Sequence, residues 1–427
     1  MFVVLFFHVF WKLGGFLLSN VIGGVYGLRD VTDAYTIAIN GVVFALYLIV
    51  EESMGPSFLP VFIYGLKEDG DTRAWRFANT AFSLLFVALC VTVFLGMLYT
   101  TEIIDFWAPG FLDKGRLTAR AHAITLMGIA FPGLFGLALG SLTYVALNAY
   151  KTFGYPAAGD ALQKFAWVAV VALLAMLFRE DPKYIAYGFI AGSLVKISTH
   201  LVGLRDKLHL MRFSIHLRTP DMKRYMMLLG PLLLGIVAAK LRDLITKAIG
   251  TYLEEGQLSS IEWAKKVGDF PVLILPYALS IAMFPYLCEM AKERDYKQFA
   301  AVVTNALKML AMFFLPVTVG AIVMRTHVIA FLYDWGKWSD SNTYWTSLAL
   351  GFYAVALVFY ASEAILMQSF FSMQNTWIPV SVGLVASSLQ IAGLYVAVSV
   401  LGVDRFYCVA LAFPISRALK NIVLGGL

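Results

Sequence analysis

The chain has 427 residues, 60% of them hydrophobic and only 14% charged, with a mean hydropathy of +0.76 and a net charge of +6. A soluble domain carries about 25% charged residues, so this composition excludes one and points to an all-α, polytopic membrane protein. The positive balance sits in the connecting loops, which is the asymmetry of a membrane protein and not a nucleic-acid footprint.

At about 20 residues per crossing, the apolar stretches predict about twelve transmembrane helices, near 2–26, 33–63, 76–99, 119–149, 156–178, 184–204, 224–252, 259–288, 298–325, 343–372, 377–400 and 404–427. The first run, MFVVLFFHVFWKLGGF, is too long and glycine-punctuated for a cleavable signal. In the second, Glu51 and Glu52 precede Gly55–Pro56, where a break is expected, and Pro132 should kink the fourth. Gly136 and Gly140 form a small-xxx-small step suited to close helix packing.

The polar connections alternate in charge. Lys67–Arg76, the turn at Lys151, the long Arg205–Arg224 stretch and Lys292–Lys297 are basic. Those at Glu102–Asp113, Arg179–Lys183, Glu254–Gln257, Asp334–Asp340 and Asp404 are mixed or acidic. Basic loops face the cytoplasm, which places both termini there, in a multi-pass membrane protein.

The chain also repeats itself. Pro60 matches Pro285, Lys67 matches Lys292 and Asn79 matches Asn305, at offsets of 225–226, and Pro156 aligns with Pro379. A constant offset in constant order implies two pseudo-symmetric six-helix lobes, 1–204 and 224–427, joined by a cytoplasmic linker at 205–223, with a substrate site at the repeat interface.

The seventh stretch, GPLLLGIVAAKLRDLITKAIGTYL at Gly230–Leu253, is interrupted by Lys240, Arg242, Asp243 and Lys247. A charge at the centre of a membrane helix costs roughly 2.5–3.5 kcal/mol, and each Leu, Ile or Val returns about 0.3–0.6 kcal/mol. Four charges cost on the order of 10 kcal/mol, about twice what the aliphatic residues return. The helix should therefore not stand in lipid alone. At 100° per residue Lys240, Asp243 and Lys247 share one face within an arc of about 60°, and Arg242 points away. That face is expected to line a wet cavity. The alternative is an internal pair of Asp243 with either lysine.

Other intramembrane ionisable groups are Asp160, Lys164, Lys196 and Glu363, functional candidates by position. Glu51 and Glu363 are candidates for gating or coupling. No catalytic constellation appears: Ser193 and Lys196 have the S-x-x-K spacing without the remaining acyl-transfer motifs. There is no P-loop, and Cys90, Cys288 and Cys408 lie in separate apolar stretches without metal spacing. A transporter is expected, not an enzyme, with no metal and no cofactor.

Five ordered stretches carry a resemblance: TDAY at Thr32–Tyr35 leading to GPSFLPVF at Gly55–Phe62; WAPGF at Trp107–Phe111; FP at Phe131–Pro132 running to LNAYKTFGYPA at Leu147–Ala157; EEGQLSSIEWAKKVGDFP at Glu254–Pro271; and FLYDWGKWS at Phe331–Ser339 followed by FFSMQNTWIPV at Phe370–Val380. Together the chain resembles the MurJ/MviN family of lipid II flippases, within the multidrug, oligosaccharide-lipid and polysaccharide exporters. The resemblance implies a flippase that moves a polyprenyl-diphosphate-linked cell-wall precursor, lipid II foremost, by alternating access for peptidoglycan biosynthesis. Implied partners are that glycolipid, membrane lipids and cell-wall synthesis proteins. It further implies substrate-binding roles for Lys12, Asp33, Lys247 and Lys266, and makes Lys240 and Lys247, with Asp243 on the same face, candidates for binding the diphosphate, whose charge is spread over several oxygens. The family's cavity arginines fall at Leu18 and Leu46, with charge lost. A sodium site of some members falls at Thr246, Gln390 and Leu394, so Gln390 joins the coupling candidates and a monovalent cation stays open as coupling ion. Rival readings are a flippase for another lipid-linked oligosaccharide, of O-antigen or exopolysaccharide type, and a non-transporting cell-wall scaffold.

Overall fold

The computed structural model describes residues 2–178, 180–272, 275–373, 375, 377–399 and 404–426. Arg179, Gln374 and Thr376, which fall in stretches read above, lie outside them. Sixteen α-helices follow one another: α1 (Phe2–Tyr26), α2 (Asp30–Ile37), α3 (Phe44–Leu98), α4 (Thr100–Trp107), α5 (Pro109–Asp113), α6 (Leu117–Ala130), α7 (Gly133–Ala149), α8 (Gly154–Leu177), α9 (Lys183–Gly203), α10 (Pro220–Gly250), α11 (Gln257–Val272), α12 (Leu275–Glu293), α13 (Tyr296–Tyr333), α14 (Asp340–Ser372), α15 (Trp377–Ser399) and α16 (Arg405–Gly426). No strand occurs among the described residues.

Eight of these stretches are long and apolar enough to cross a membrane, or nine when the bent α6–α7 pair counts as one. The bend there is 49°, at the predicted Pro132. One stretch, Asp30–Leu98, is 69 residues long. At about 1.5 Å per residue it would far exceed any bilayer, and it turns back at Asp69–Gly70, where Gly70 adopts φ +64° and ψ −151°. Only glycine reaches that region without strain. The stretch thus supplies the second and third predicted spans. The expected break at Gly55–Pro56 is absent: α3 runs on through Pro56 and Pro60. The irregularity lies earlier, in a π-helical turn at Ala38–Val43.

The chain forms two compact units, one running to Ala248 and the other beginning at Ile249. The repeat had placed the division at 205–223. The linker is instead clipped to the first unit: Asn79 donates to the Leu210 carbonyl (2.8 Å) and accepts from the Arg212 amide (3.0 Å), and Ser83 accepts from the Ser214 amide (2.9 Å). Arg73 grips Asp221 at the start of α10 through two bonds of 2.9 and 3.0 Å.

In the first unit the arms of α3 pack on α7 around Phe58, Phe62, Trp75, Phe77 and Leu142. Helices α7 and α9 approach closely because a side chain at Gly136 would sit 2.5 Å from the Ser193 carbonyl oxygen, as the small-xxx-small step required. In the second unit α14 is central, touching α11, α12, α13 and α16, around Leu310, Phe314, Leu357 and Ile365. Large apolar side chains such as Met176, Val323 and Phe331 point outward. In water such a surface would drive association; in a bilayer it is the ordinary lipid-facing surface.

Candidate functional site

The charged face of α10 lies against the second span. Lys240 donates to Glu52 Oε1 at 2.6 Å, and Lys247 donates to the Asn40 carbonyl at 3.0 Å. Leu244, between them in register, packs beside Gly41. Asn40 belongs to the π-helical turn, a local widening that recurs at functional sites in helices. Both lysines therefore share a face, as periodicity required. Asp243 accepts from the neighbouring Arg242 at 2.8 Å, so the guanidinium expected to point away folds back onto it.

Behind this lies a second cluster that the sequence offered only as scattered candidates. Lys196 of α9 is fully buried, 2.7 Å from Asp160 of α8, 3.6 Å from Glu51 of α3, and donates to the Tyr47 hydroxyl at 2.8 Å. Two carboxylates on one lysine leave a surplus negative charge. Asp160, held closely, compensates the ammonium; Glu51 stands further off. One turn along α9, His200 Nδ1 is 2.9 Å from the Thr143 hydroxyl. Glu51 and Glu52 thus serve different clusters, one inside the unit and one on α10.

The other candidates are dispersed. Asp33 is fully buried and accepts from Arg116 at 2.7 Å, while the same guanidinium reaches Asp30 at 2.5 Å. Arg116 precedes α6 in a turn and was not a candidate. Burial alone would lower its pKa, but Asp33 and Asp30 together hold it above its ordinary value. Lys12 sits over the Trp11 ring at 4.2 Å. Leu18, where the family has an arginine, is buried in the core.

In the second unit Lys266 lies over the Trp263 ring at 4.7 Å. Glu363 of α14, 6% exposed, accepts from Lys420 of α16 at 2.6 Å and also from Arg417. Arg417 and Lys265 both lie over Phe413. Gln390 lines an apolar groove of about 280 Å³ between α15 and α16, together with Leu394. Among the described residues no group of His, Cys, Asp and Glu is arranged to hold a metal ion.

Comparison with known proteins finds relatives along most of the chain. The sequence profile described as lipid II flippase MurJ matches residues 24–424. The probable lipid II flippase MurJ of Bdellovibrio bacteriovorus is 27% identical over 90% of this chain and 75% of its own length. The lipid II flippase MurJ of Burkholderia cenocepacia is 24% identical over 93% of this chain and 77% of its own. A solved structure of lipid II flippase MurJ in an inward closed conformation shares the fold with TM-score 0.80 at 19% identity, over 99% of this chain and 87% of that one. An inward-facing multidrug resistance MATE transporter gives the same TM-score, 0.80, at 14% identity, over 97% of this chain and 92% of its own. The chain belongs to the MurJ lipid II flippase family.

Proposed function

We propose that this protein carries lipid II, the polyprenyl-diphosphate precursor of peptidoglycan, across the cytoplasmic membrane of a bacterium. It does so by exposing one binding site to the two faces in turn. The observation that carries the reading is the seating of Lys240 and Lys247. Lys240 rests on the half-exposed Glu52 carboxylate, a partner that a stronger anion can replace, and Lys247 on the same face reaches the Asn40 carbonyl. A diphosphate brings several anionic oxygens, and charge-assisted bonds to them are about twice as strong as neutral ones. Exchanging Glu52 for a phosphate oxygen keeps the lysine paired throughout, so no bare charge is left in a poorly solvated place. The prenyl tail stays in lipid. Lys12, resting on a tryptophan face, is a further cation for the head group. Basic loops at Lys67–Arg76, Lys151 and Arg205–Arg224 put both termini in the cytoplasm.

The test is rescue of a bacterium depleted of its own lipid II flippase. Wild type should restore growth, and a Lys240→Ala, Lys247→Ala chain present at equal level in the membrane should not. Failure of the well-expressed wild type would assign the cargo to another lipid-linked oligosaccharide. Full rescue by the double variant would remove the two lysines from the head-group site.

A further inference from the structure

We propose that a cavity inside the first unit is a carbohydrate subsite that receives an N-acetylated sugar ring of the lipid head group. This deepens the flippase reading and rests on it. The cavity, about 440 Å³, is lined by α1, α3, α7 and α8, and falls within the ~300–1,000 Å³ typical of small-ligand sites.

Its lining combines the rings of Trp11, Tyr47 and Tyr144 with the polar groups of Glu51, Asp160 and Gln163. The two carboxylates keep 36% and 24% of their side-chain surface although both reach Lys196, which keeps 1%. The lysine therefore fixes them from behind and leaves oxygens facing the cavity. Tyr47 is tied to the same ammonium, so an aromatic face and the acceptors are oriented by one buried group. A pyranose ring asks for this combination. Its C–H face is apolar and stacks on a ring, and its hydroxyls donate to carboxylate oxygens, which are acceptors only. Gln163, 2% exposed, offers through its amide both a donor and an acceptor, the complement of an acetamido substituent.

The same lining argues against the diphosphate as occupant. Two carboxylates face it, and like-charge juxtaposition is a strong deterrent in recognition. The cation in this lining, Lys164, has its ammonium over the rings of Phe44 and Trp167, at 4.9 and 5.1 Å. Head-group recognition is thus divided: the anion goes to the lysines of α10 and the neutral sugar to the aromatic and carboxylate lining.

The experiment compares binding of two lipids to the full chain in nanodiscs: lipid II, and undecaprenyl diphosphate without sugars. Wild type should prefer lipid II by about ten-fold or more. Asp160→Asn and, separately, Tyr144→Ala should erase that preference while leaving affinity for the sugarless lipid unchanged. The unchanged affinity also certifies that each variant is folded. Equal binding of the two lipids by wild type, or a preference that survives both substitutions, overturns the sugar site and leaves the flippase reading standing. Binding of neither lipid overturns both.

Discussion

The ammonium of Lys240 meets the Glu52 carboxylate at 2.6 Å, tying α10 to the second membrane span across 188 residues of sequence. The pair is asymmetric. The lysine side chain is 14% exposed and the glutamate 44%, so the acid can leave for water and the base cannot. Lys240→Ala should therefore cut lipid II flipping in proteoliposomes at least about ten-fold, because the cation proposed to receive the diphosphate is gone. Glu52→Gln should cost far less, about two-fold, since it keeps the ammonium and a polar partner. Equal losses from the two substitutions would mean that the pair acts only as a structural tie.

Arg116 binds two acids, Asp30 and Asp33, with side-chain exposures of 12%, 19% and 0% respectively. Removing one member of a buried pair costs about 3–5 kcal/mol, because the remaining charge is stranded. Arg116→Ala should lower the thermal midpoint in detergent by several degrees, and Asp33→Asn in that background should recover part of the loss. An unchanged midpoint for Arg116→Ala would show that the site is solvated and the pair slack.

Asp71 lies in the polar turn at Lys67–Arg76, outside the membrane-spanning segments, bonded by Lys207 and by the Tyr150 hydroxyl at 2.5 Å. Burial pulls its carboxyl upward, but these two hydrogen bonds outweigh burial and hold it below the usual carboxylate range. A depressed folded pKa adds stability that is present above the unfolded value, near ~4, and is lost as pH falls through the folded value. The stability gap between wild type and Asp71→Asn should thus be widest at neutral pH and close on acidification below about pH 4. The side chain is 34% exposed, so the gap should be modest. Thermal midpoints measured at stepped pH check this; a gap independent of pH would remove Asp71 from the linker's anchorage.

Much of this architecture was legible because lipid simplifies the code. Uninterrupted apolar runs had to be spans, Pro132 had to bend one, and the charges of α10 had to find protein. The repeat did not mark the division between compact units, because that depends on Arg73, Asn79 and Ser83 gripping the linker and the start of α10, and such side-chain bonds leave no periodic trace. Among site residues, Lys240 and Lys247 were readable from their shared helical face. Asp160, Lys196 and Glu51 were each visible as costly charges in apolar surroundings, but their meeting was not, since three different helices supply them. Arg116 was missed altogether. An arginine in a polar turn is unremarked by composition, and only the buried Asp33 calls for it.

Glu363 carries the last prediction. It is the one acid joining Arg417 and Lys420 to α14, and the three groups sit inside the second unit with side-chain exposures of 8%, 23% and 16% respectively. Because a single carboxylate serves two cations, substitutions of the acid and of one cation cannot be equivalent. Glu363→Gln strands both cations beside each other, whereas Lys420→Met leaves the Arg417–Glu363 pair intact. The glutamate variant should therefore lose more folded protein, and the double variant Glu363→Gln, Lys420→Met should be more stable than Glu363→Gln alone, a non-additivity expected only for residues in one network. Size-exclusion profiles of heated detergent extracts give the ranking directly. If Lys420→Met proved the more damaging of the two single changes, α16 would be held by the aliphatic stem of that lysine and not by its charge.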